Sequence, residues 1–385
     1  MNILVVNWQD ITNPLSGGAE VHFHQIFSRI AREGHRVTLC CSTYRGAARR
    51  ETIDGIEILR SGRRPLFNFV FPFTYLARLR ASGYDVVVED LNKVPFFSPL
   101  YVRRPLAGIA HHLFGKSVFR EAGLLPAAYV YLMERCAMAL YRRRIPFMVV
   151  SRSTEREFLD RGFSPDRLAV IHNCVDHRRY TVGDGKKSAL PLAVYFGRLK
   201  KYKSVDHFLR ALPAAMGRVP SLKAVVAGEG DDLDRLREIA RGLGVLDAVE
   251  FTGHVTEIQK VELLRKAWCT VSTSLKEGWG LTVIEANACG TPCVAADVPG
   301  LRDAVREGVT GLLYPHGDIE ALTHRMLRLL EDAELRRRLS EGAVRWAATF
   351  EWEDAAVQTL EFLSRVSGKS AARPAAARAG GPFTS

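Results

Sequence analysis

Short apolar runs alternate along the chain with longer stretches whose apolar residues recur at helical spacing. Strands and helices in such alternation point to parallel α/β architecture. In the first half, Ile3–Asn7, Arg36–Cys41, Ile56–Leu59, Val86–Glu89, Leu106–Ala110, Phe147–Val150 and Leu168–Ile171 are the predicted strands. The pattern restarts after Asn173. Thr181–Ser188, rich in Gly, Lys and Asp, is expected to be a linker. Strands then follow at Leu192–Phe196, Lys223–Ala227, Val249–Thr252, Thr270–Ser272 and Cys293–Ala295, each separated by a helical stretch. Two Rossmann-like, doubly wound domains facing an interdomain cleft are the expectation, with ligands at the carboxyl ends of the strands. The domains are placed at 1–180 (acceptor side) and 181–350 (donor side). Glu351–Ser364 reads as a last amphipathic helix, so 351–366 is taken as a C-terminal helix that crosses back to the N-terminal domain. The tail 367–385 has little to bury and is expected to be disordered.

Composition narrows the class. A chain of 385 residues suits two cores, and 47% apolar with 25% charged residues is ordinary for a globular protein. No apolar run reaches the roughly 18 residues a spanning helix needs. MNILVVNWQD lacks a basic leader and reads as a first strand rather than a signal peptide. Seven scattered cysteines, without C-x-x-C spacing, favour reduced thiols and a cytoplasmic setting. The net charge of +12 is uneven: residues 1–180 hold 26 Lys+Arg against 16 Asp+Glu, the remainder 28 against 26. A basic first half suits an anionic acceptor or the anionic inner face of a membrane. Nucleic acid is set aside, because no helix-turn-helix, RNP or zinc-finger pattern accompanies the charge.

The chemistry gathers in EGWGLTVIEANACGTP. Glu277 lies in a loop made bare by Gly278 and Gly280, so a ligand can approach the backbone. A helix is predicted from Leu281, its free N–H groups and positive dipole end aimed at that loop. Glu285 sits a turn further on, where the residues four away are Leu281 and Cys289 and offer no ion-pair partner. A surface Glu would be the plain reading, but on so apolar a helix a buried carboxylate needs a partner from elsewhere, and ribose hydroxyls would serve. Spacing alone would equally suit an acid–base pair for hydrolysis. Earlier, Tyr195-Phe196-Gly197-Arg198-Leu199-Lys200-Lys201-Tyr202-Lys203 ends a strand and puts two cations at its edge. Arg198 offers a forked donor and Lys203 a point charge, a combination suited to a diphosphate; the alternative is a solvated basic turn.

In the first half, Pro14-Leu15-Ser16-Gly17-Gly18-Ala19-Glu20 follows the first strand and opens a helix, the position of a phosphate-facing loop. It has neither the Gly-Lys-Ser/Thr of a P-loop nor the dinucleotide fingerprint. His111 and His112 follow Leu106–Ala110 at a strand's carboxyl end, where a histidine is as readily structural.

The segment from Glu277 to Ala295, continued by Val298-Pro299-Gly300-Leu301-Arg302-Asp303, closely resembles the retaining glycosyltransferases of family 4, which have the GT-B fold; the two glutamates are that family's E-x7-E element. The resemblance extends to Tyr195–Lys203, to the Gly17-Gly18 loop, to Ala227-Gly228-Glu229-Gly230-Asp231 and to Phe251-Thr252-Gly253-His254-Val255. It implies that Arg198 and Lys203 grip the donor diphosphate, Glu285 the ribose and Glu277 the sugar hydroxyls. It also implies that Glu229 lines the base or sugar pocket and that the segment ending at Val255 presents backbone groups to the base, while His111 and the Gly17-Gly18 loop reach the donor from the N-terminal domain. Three departures stand out: Ser204 where a Gly commonly follows the Lys, His112 where an Asp commonly follows the His, and Cys174 where Asn173-Cys174-Val175-Asp176 commonly has Gly. Cys174 implies a turn without positive φ.

The function expected is therefore transfer of a sugar, with retention, from a nucleotide-diphosphate-sugar donor to a glycan, lipid-linked or small-molecule acceptor. No cofactor or metal is expected, since the two cations and the helix N-terminus stabilise the departing diphosphate and no Asp-x-Asp stands near them. Catalytic roles fall to Glu277, His111, Arg198 and Lys203. A nucleotide-sugar epimerase of GT-B architecture and a non-catalytic, membrane-docking sugar-nucleotide-binding subunit are the alternatives. The aromatic stretch Arg63–Arg78, basic at both ends, is either an interfacial patch on a membrane or the buried start of a helix.

Overall fold

The computed structural model describes residues 1–91, 93–120 and 123–369, so most of the tail expected to be disordered lies outside the described residues. The chain divides into two compact units, one built from Met1–Asn173 with the stretch from Trp352 on, the other from Cys174–Glu351.

The first unit holds an eight-stranded sheet. Its strands are β1 (Asn2–Val6), β2 (Arg36–Thr43), β3 (Arg50–Ile53), β4 (Ile56–Arg63), β5 (Val86–Leu91), β6 (Leu106–Ala110), β7 (Phe147–Val149) and β8 (Leu168–Val170), in the order β3-β4-β2-β1-β5-β6-β7-β8. All pairs are parallel except β3 with β4. That hairpin is absent from the sequence expectations, although Asp54-Gly55, both at positive φ, is a strong two-residue turn signal between strands. The helices are α1 (Gly18–Arg32), α2 (Phe67–Thr74), α3 (Leu124–Tyr141) and α4 (Arg152–Leu159).

Handedness assigns these helices to layers. The crossover from β1 to β2 runs one way along the sheet, whereas β4 to β5, β6 to β7 and β7 to β8 run the other. Right-handed crossovers therefore put α1 on one face and α2, α3 and α4 on the opposite one. Burial agrees: Phe67 and Phe71 of α2, with Tyr75 just past its end, pack with Leu4, Val6 and Val87, while Met138 and Tyr141 of α3 pack with Leu91, Ala110 and Phe147. Residues 87 and 91 of β5 share one side of the strand, as period-two alternation requires. Between them Glu89 is fully buried, and it accepts hydrogen bonds from the Tyr141 hydroxyl (2.7 Å) and the Phe96 N–H (2.8 Å). The aromatic stretch is divided: Phe67 and Phe71 are core, each worth about 1.5–3 kcal/mol of burial, while Leu66, Phe69, Phe73 and Leu76 are exposed.

The second unit holds β9 (Leu192–Phe196), β10 (Lys223–Ala227), β11 (Val249–Gly253), β12 (Cys269–Ser272), β13 (Cys293–Ala296) and β14 (Gly311–Tyr314), all parallel, in the order β11-β10-β9-β12-β13-β14. β14 is absent from the sequence expectations. The helices are α5 (Val205–Arg218), α6 (Leu233–Gly242), α7 (Glu257–Lys266), α8 (Leu281–Ala288), α9 (Leu301–Ala304), α10 (Ile319–Glu331) and α11 (Ala333–Ala347). Local chemistry sets their starts. Thr256 and Gln259 form a reciprocal capping box on α7, and the Asp318 carboxylate accepts the Ala321 N–H of α10.

The units divide at Asn173 rather than at 180. The Val175 N–H bonds the Phe350 carbonyl (3.4 Å), and the Tyr180 hydroxyl donates to Glu257 (2.7 Å), which ties 174–180 to the second unit. Cys174 has no positive φ, consistent with its replacing glycine. The last helix, α12 (Trp352–Ser367), belongs to the first unit, where it packs on α1 and Arg29 donates to Glu353 (2.9 Å).

Candidate active site

In each unit the strand order reverses at one point, and the sequence-selected residues gather at the carboxyl edge there. For the second unit the reversal falls between β9 and β12, the place where open α/β sheets bind ligands. The loop after β9 carries Arg198 and Lys203; the loop after β12 carries Glu277, Gly278 and Gly280. The two loops are tied together, because Thr273 Oγ1 donates to the Lys203 carbonyl (2.7 Å) and the Leu275 N–H to the Tyr202 carbonyl (2.8 Å). Lys203 pairs with Glu277, whose Oε1 also accepts from Ser274 Oγ (2.6 Å). Burial alone would lower the Lys203 pKa, but the adjacent Glu277 carboxylate outweighs it and holds the ammonium above its ordinary value. Arg198 is exposed, and among the described residues it has no carboxylate within ion-pair distance; its guanidinium only reaches the Tyr202 hydroxyl at 3.5 Å. Glu277 thus answers Lys203, and Arg198 is left to meet an anion from outside.

Glycine makes room around this edge. A side chain at Gly300 would place its Cβ 2.3 Å from the Glu277 carbonyl, so the Glu277 loop can pack as it does only over a residue without one. Gly280, at φ +96°, caps α8, which starts at Leu281 as the sequence predicts. Three loops are zipped alongside: the Leu199 N–H bonds the Glu229 carbonyl (2.8 Å), and the Gly228 N–H bonds the Gly253 carbonyl (2.9 Å). Glu229 therefore lies at the same edge as Arg198. Val255, just beyond Gly253, packs on Val194, Val225 and Ala227.

Glu285 is buried inside this unit, and its partner is one that sequence reasoning missed. Lys260 of α7 places Nζ 2.8 Å from Oε2 and 2.9 Å from Oε1. The ammonium sits over the rings of Phe196 (4.7 Å) and Tyr180 (5.4 Å) and lies 3.8 Å from Glu257. Burial pushes the Glu285 carboxyl pKa up, against the opposing pull of Lys260. The bonds run between different helices, so spacing along α8 could not reveal them.

In the first unit the reversal falls between β1 and β5. Asn7, just past β1, donates to Asp90 Oδ2 (3.1 Å), and the other oxygen of Asp90 lies 3.3 Å from His111 Nε2. Where the family resemblance puts Asp beside the histidine, Asp90 on the neighbouring strand supplies a carboxylate instead. His111 is desolvated, which alone would lower its pKa, yet Asp90 and then Glu20 raise it. His22 of α1 meets His111 edge-on at 5.0 Å, and burial, followed by the charge on His111, keeps His22 neutral, well below its ordinary pKa. His112 instead lies against Phe114 (4.5 Å). In the Gly17-Gly18 loop, Glu20 reaches back to accept the Gly17 N–H (2.7 Å), and a Cβ at Gly18 would meet open space. Among the described residues no group of three His, Cys, Asp or Glu is placed to hold a metal ion. The two clusters belong to different units, each described by itself.

Comparison with known proteins fits this layout. Residues 16–179 match the family described as Glycosyltransferase Family 4, and residues 180–346 match Glycosyl transferases group 1. Glycogen synthase of Mycobacterium tuberculosis (strain ATCC 25618 / H37Rv) is 26% identical over 97% of both chains. D-inositol 3-phosphate glycosyltransferase of Streptomyces bingchenggensis (strain BCW-1) is 34% identical over 53% of this chain and 49% of its own. Among solved structures, sucrose-phosphate synthase from Thermosynechococcus elongatus aligns with a TM-score of 0.78 at 21% identity, covering 96% of this chain and 100% of that one. Anabaena HepE in complex with UDP-glucose aligns with a TM-score of 0.75 at 20% identity, over 95% and 100%. The fold is GT-B, and the protein is a glycosyltransferase that uses a nucleotide-sugar donor. Its two halves each match a glycosyltransferase family model, together over residues 16–346, and make it a GT-B glycosyltransferase of family 4 type.

Proposed function

We propose that the second unit holds the donor with its diphosphate on Arg198 and Lys203, and that the sugar is transferred with retention of configuration. The observation that carries this reading is the unequal pairing at the switch point: Lys203 is answered by Glu277, while Arg198 beside it has no carboxylate partner among the described residues. A departing diphosphate supplies the missing negative charge. Cations fixed before the reaction stabilise it without reorganisation, and the N-terminus of α8 adds to them. This accounts for leaving-group departure without a metal. Glu277, already held by Lys203 and Ser274, has lone pairs left for the sugar hydroxyls. Glu285, paired with Lys260, would accept from the ribose, with Glu229 and Val255 beside the base or sugar. His111, its pKa raised by Asp90 against burial, would donate to the sugar end, and the Gly17-Gly18 loop would offer its backbone to the donor.

Retention would come from attack by the acceptor on the face that the diphosphate leaves. The acceptor is a glycan, a lipid-linked saccharide or a small glycoside, and the basic first unit suits an anionic one or one at an anionic membrane. A UDP-sugar is the first donor to try, because UDP-glucose is bound in the HepE structure. The test is release of nucleoside diphosphate from a UDP-, GDP- or ADP-sugar panel with and without a candidate acceptor. Acceptor-dependent release that keeps the anomeric configuration supports the reading. Donor interconversion without acceptor would point to the epimerase instead, and no release to the binding subunit.

A further inference from the structure

The layer of the first unit formed by α2, α3 and α4 carries apolar side chains that stay in contact with solvent. Leu66, Phe69, Phe73 and Leu76 recur at three- and four-residue spacing along and beyond α2, with Phe73 75% exposed. The opposite stripe, Phe67, Phe71 and Tyr75, is buried on the sheet. On α3 the same division holds: Ala137, Met138 and Tyr141 are buried, while Leu125, Tyr129 and Leu132 are exposed, Leu125 at 81%. Sequence reasoning marked only the first of these stripes. The crossover argument puts both helices on one face of the sheet, so the two stripes belong to one surface layer.

Exposed charge along α2 and α3 has one sign, whereas α4 of the same layer also carries Glu155, paired with Arg152 (2.9 Å), and Glu157. Residues 63–82 contain no acid, and Arg63, Arg64, Arg78 and Arg80 are all exposed. Over 123–144 the only acid is Glu134, which is buried and accepts the Phe114 (2.6 Å) and Gly115 (2.9 Å) N–H groups. Arg142, Arg143 and Arg144 follow α3, exposed. Apolar stripes bordered by arginine, with no acidic side chain exposed among them, match an interfacial helix pair, and no helix among the described residues is long and apolar enough to cross a membrane. We propose that the α2 and α3 part of this layer docks on an anionic lipid bilayer, with the two stripes at the headgroup–acyl boundary and the arginines on lipid phosphates. The docking stands on the surface alone. Its consequence, an acceptor presented by the membrane, rests on the proposed function.

The test is co-sedimentation of the full chain with vesicles of phosphatidylcholine alone and of phosphatidylcholine with phosphatidylglycerol. Binding is expected to the anionic vesicles only, and it should weaken as salt rises from about 0.1 to 0.5 M. The combined variant F69S/F73S/L125S/L132S should lower binding about tenfold or more. Its melting temperature and its stabilisation by a nucleotide sugar should stay as in the parent. No binding by the parent, equal binding to neutral vesicles, or unchanged binding by the variant would overturn the proposal. So would a parent dimer, seen by light scattering, that the serines dissociate, since the surface would then be a contact between copies. Vesicle binding that is intact in a protein showing no donor-induced stabilisation would support the docking and overturn the transfer reading instead.

Discussion

Lys203 meets Glu277 across two loops, and Lys260 meets Glu285 between two helices. The first pair lies at an edge, with side chains 15% and 21% exposed and in the same loop the guanidinium of Arg198, which has no carboxylate partner among the described residues. The second is closed in, at 8% and 7%, between the rings of Phe196 and Tyr180. The chemistry of the two pairs is identical, and their surroundings divide the work. A partly open pair next to a spare cation can take an anion. A closed pair fixes one carboxylate as a permanent acceptor, and breaking it strands a buried charge. The first pair is accordingly expected to govern turnover and the second to govern stability and donor affinity.

The largest effect expected is on the open pair: Arg198→Ala with Lys203→Ala should lower kcat by about a thousandfold or more, since single donors to a developing anion are worth about 10²–10³. Steady-state release of nucleoside diphosphate measures it, and the melting temperature should change much less than kcat. Lys260→Met should do the reverse in kind. Removing one partner of a buried pair costs about 3 kcal/mol, read by denaturant unfolding, and Lys260→Met/Glu285→Gln should recover part of that loss. If Lys203→Met proves as destabilising as Lys260→Met, the contrast fails. Glu285→Gln alone should weaken donor binding about 10- to 100-fold, the range for losing a charged hydrogen-bond acceptor, as titration calorimetry would report.

Smaller effects sharpen a second contrast, between this unit and the histidine cluster of the first. Because Asp90 and Glu20 hold His111 above its ordinary 6.5 despite burial, the stabilisation from its charge is complete below that value and is lost as pH rises through the folded one. Asp90→Asn should move that limb to lower pH, in the His111 titration seen by NMR and in the pH–rate profile. His22 and Glu20 face the same ring, so Glu20→Gln should move it in the same direction by less. Last, Ser204→Gly should be neutral or stabilising by up to about 1 kcal/mol, because Ser204 adopts φ +50°. Its hydrogen bond to His316 (3.2 Å) is what glycine would forfeit.

What the sequence made legible follows the range of the interactions. Strand runs such as Leu192–Phe196, the helix from Leu281 and the glycine-bare loop before it are local, and they stand where the pattern put them. The hairpin at Asp54-Gly55 was equally local and was passed over. Asp90, Lys260 and Ser274 were out of reach, since each joins its partner through the sheet order or through packing of one element on another. The apolar stripe of α3 was hidden for another reason: periodicity shows that a helix has apolar faces, but only the fold shows which face the sheet covers. Glu285 is instructive here. The apolar run around it correctly demanded a distant partner, and Lys260 is the protein's own answer before any ribose arrives.

The central claim, that a nucleotide sugar rests its diphosphate on the open pair, is tested most directly by donor-induced thermal stabilisation. A UDP-sugar at saturating concentration should raise the melting temperature of the parent protein, since only the folded state binds it. The rise should vanish in R198A/K203A and persist in D90N. An equal rise in the parent and in R198A/K203A would place the diphosphate elsewhere and contradict the account.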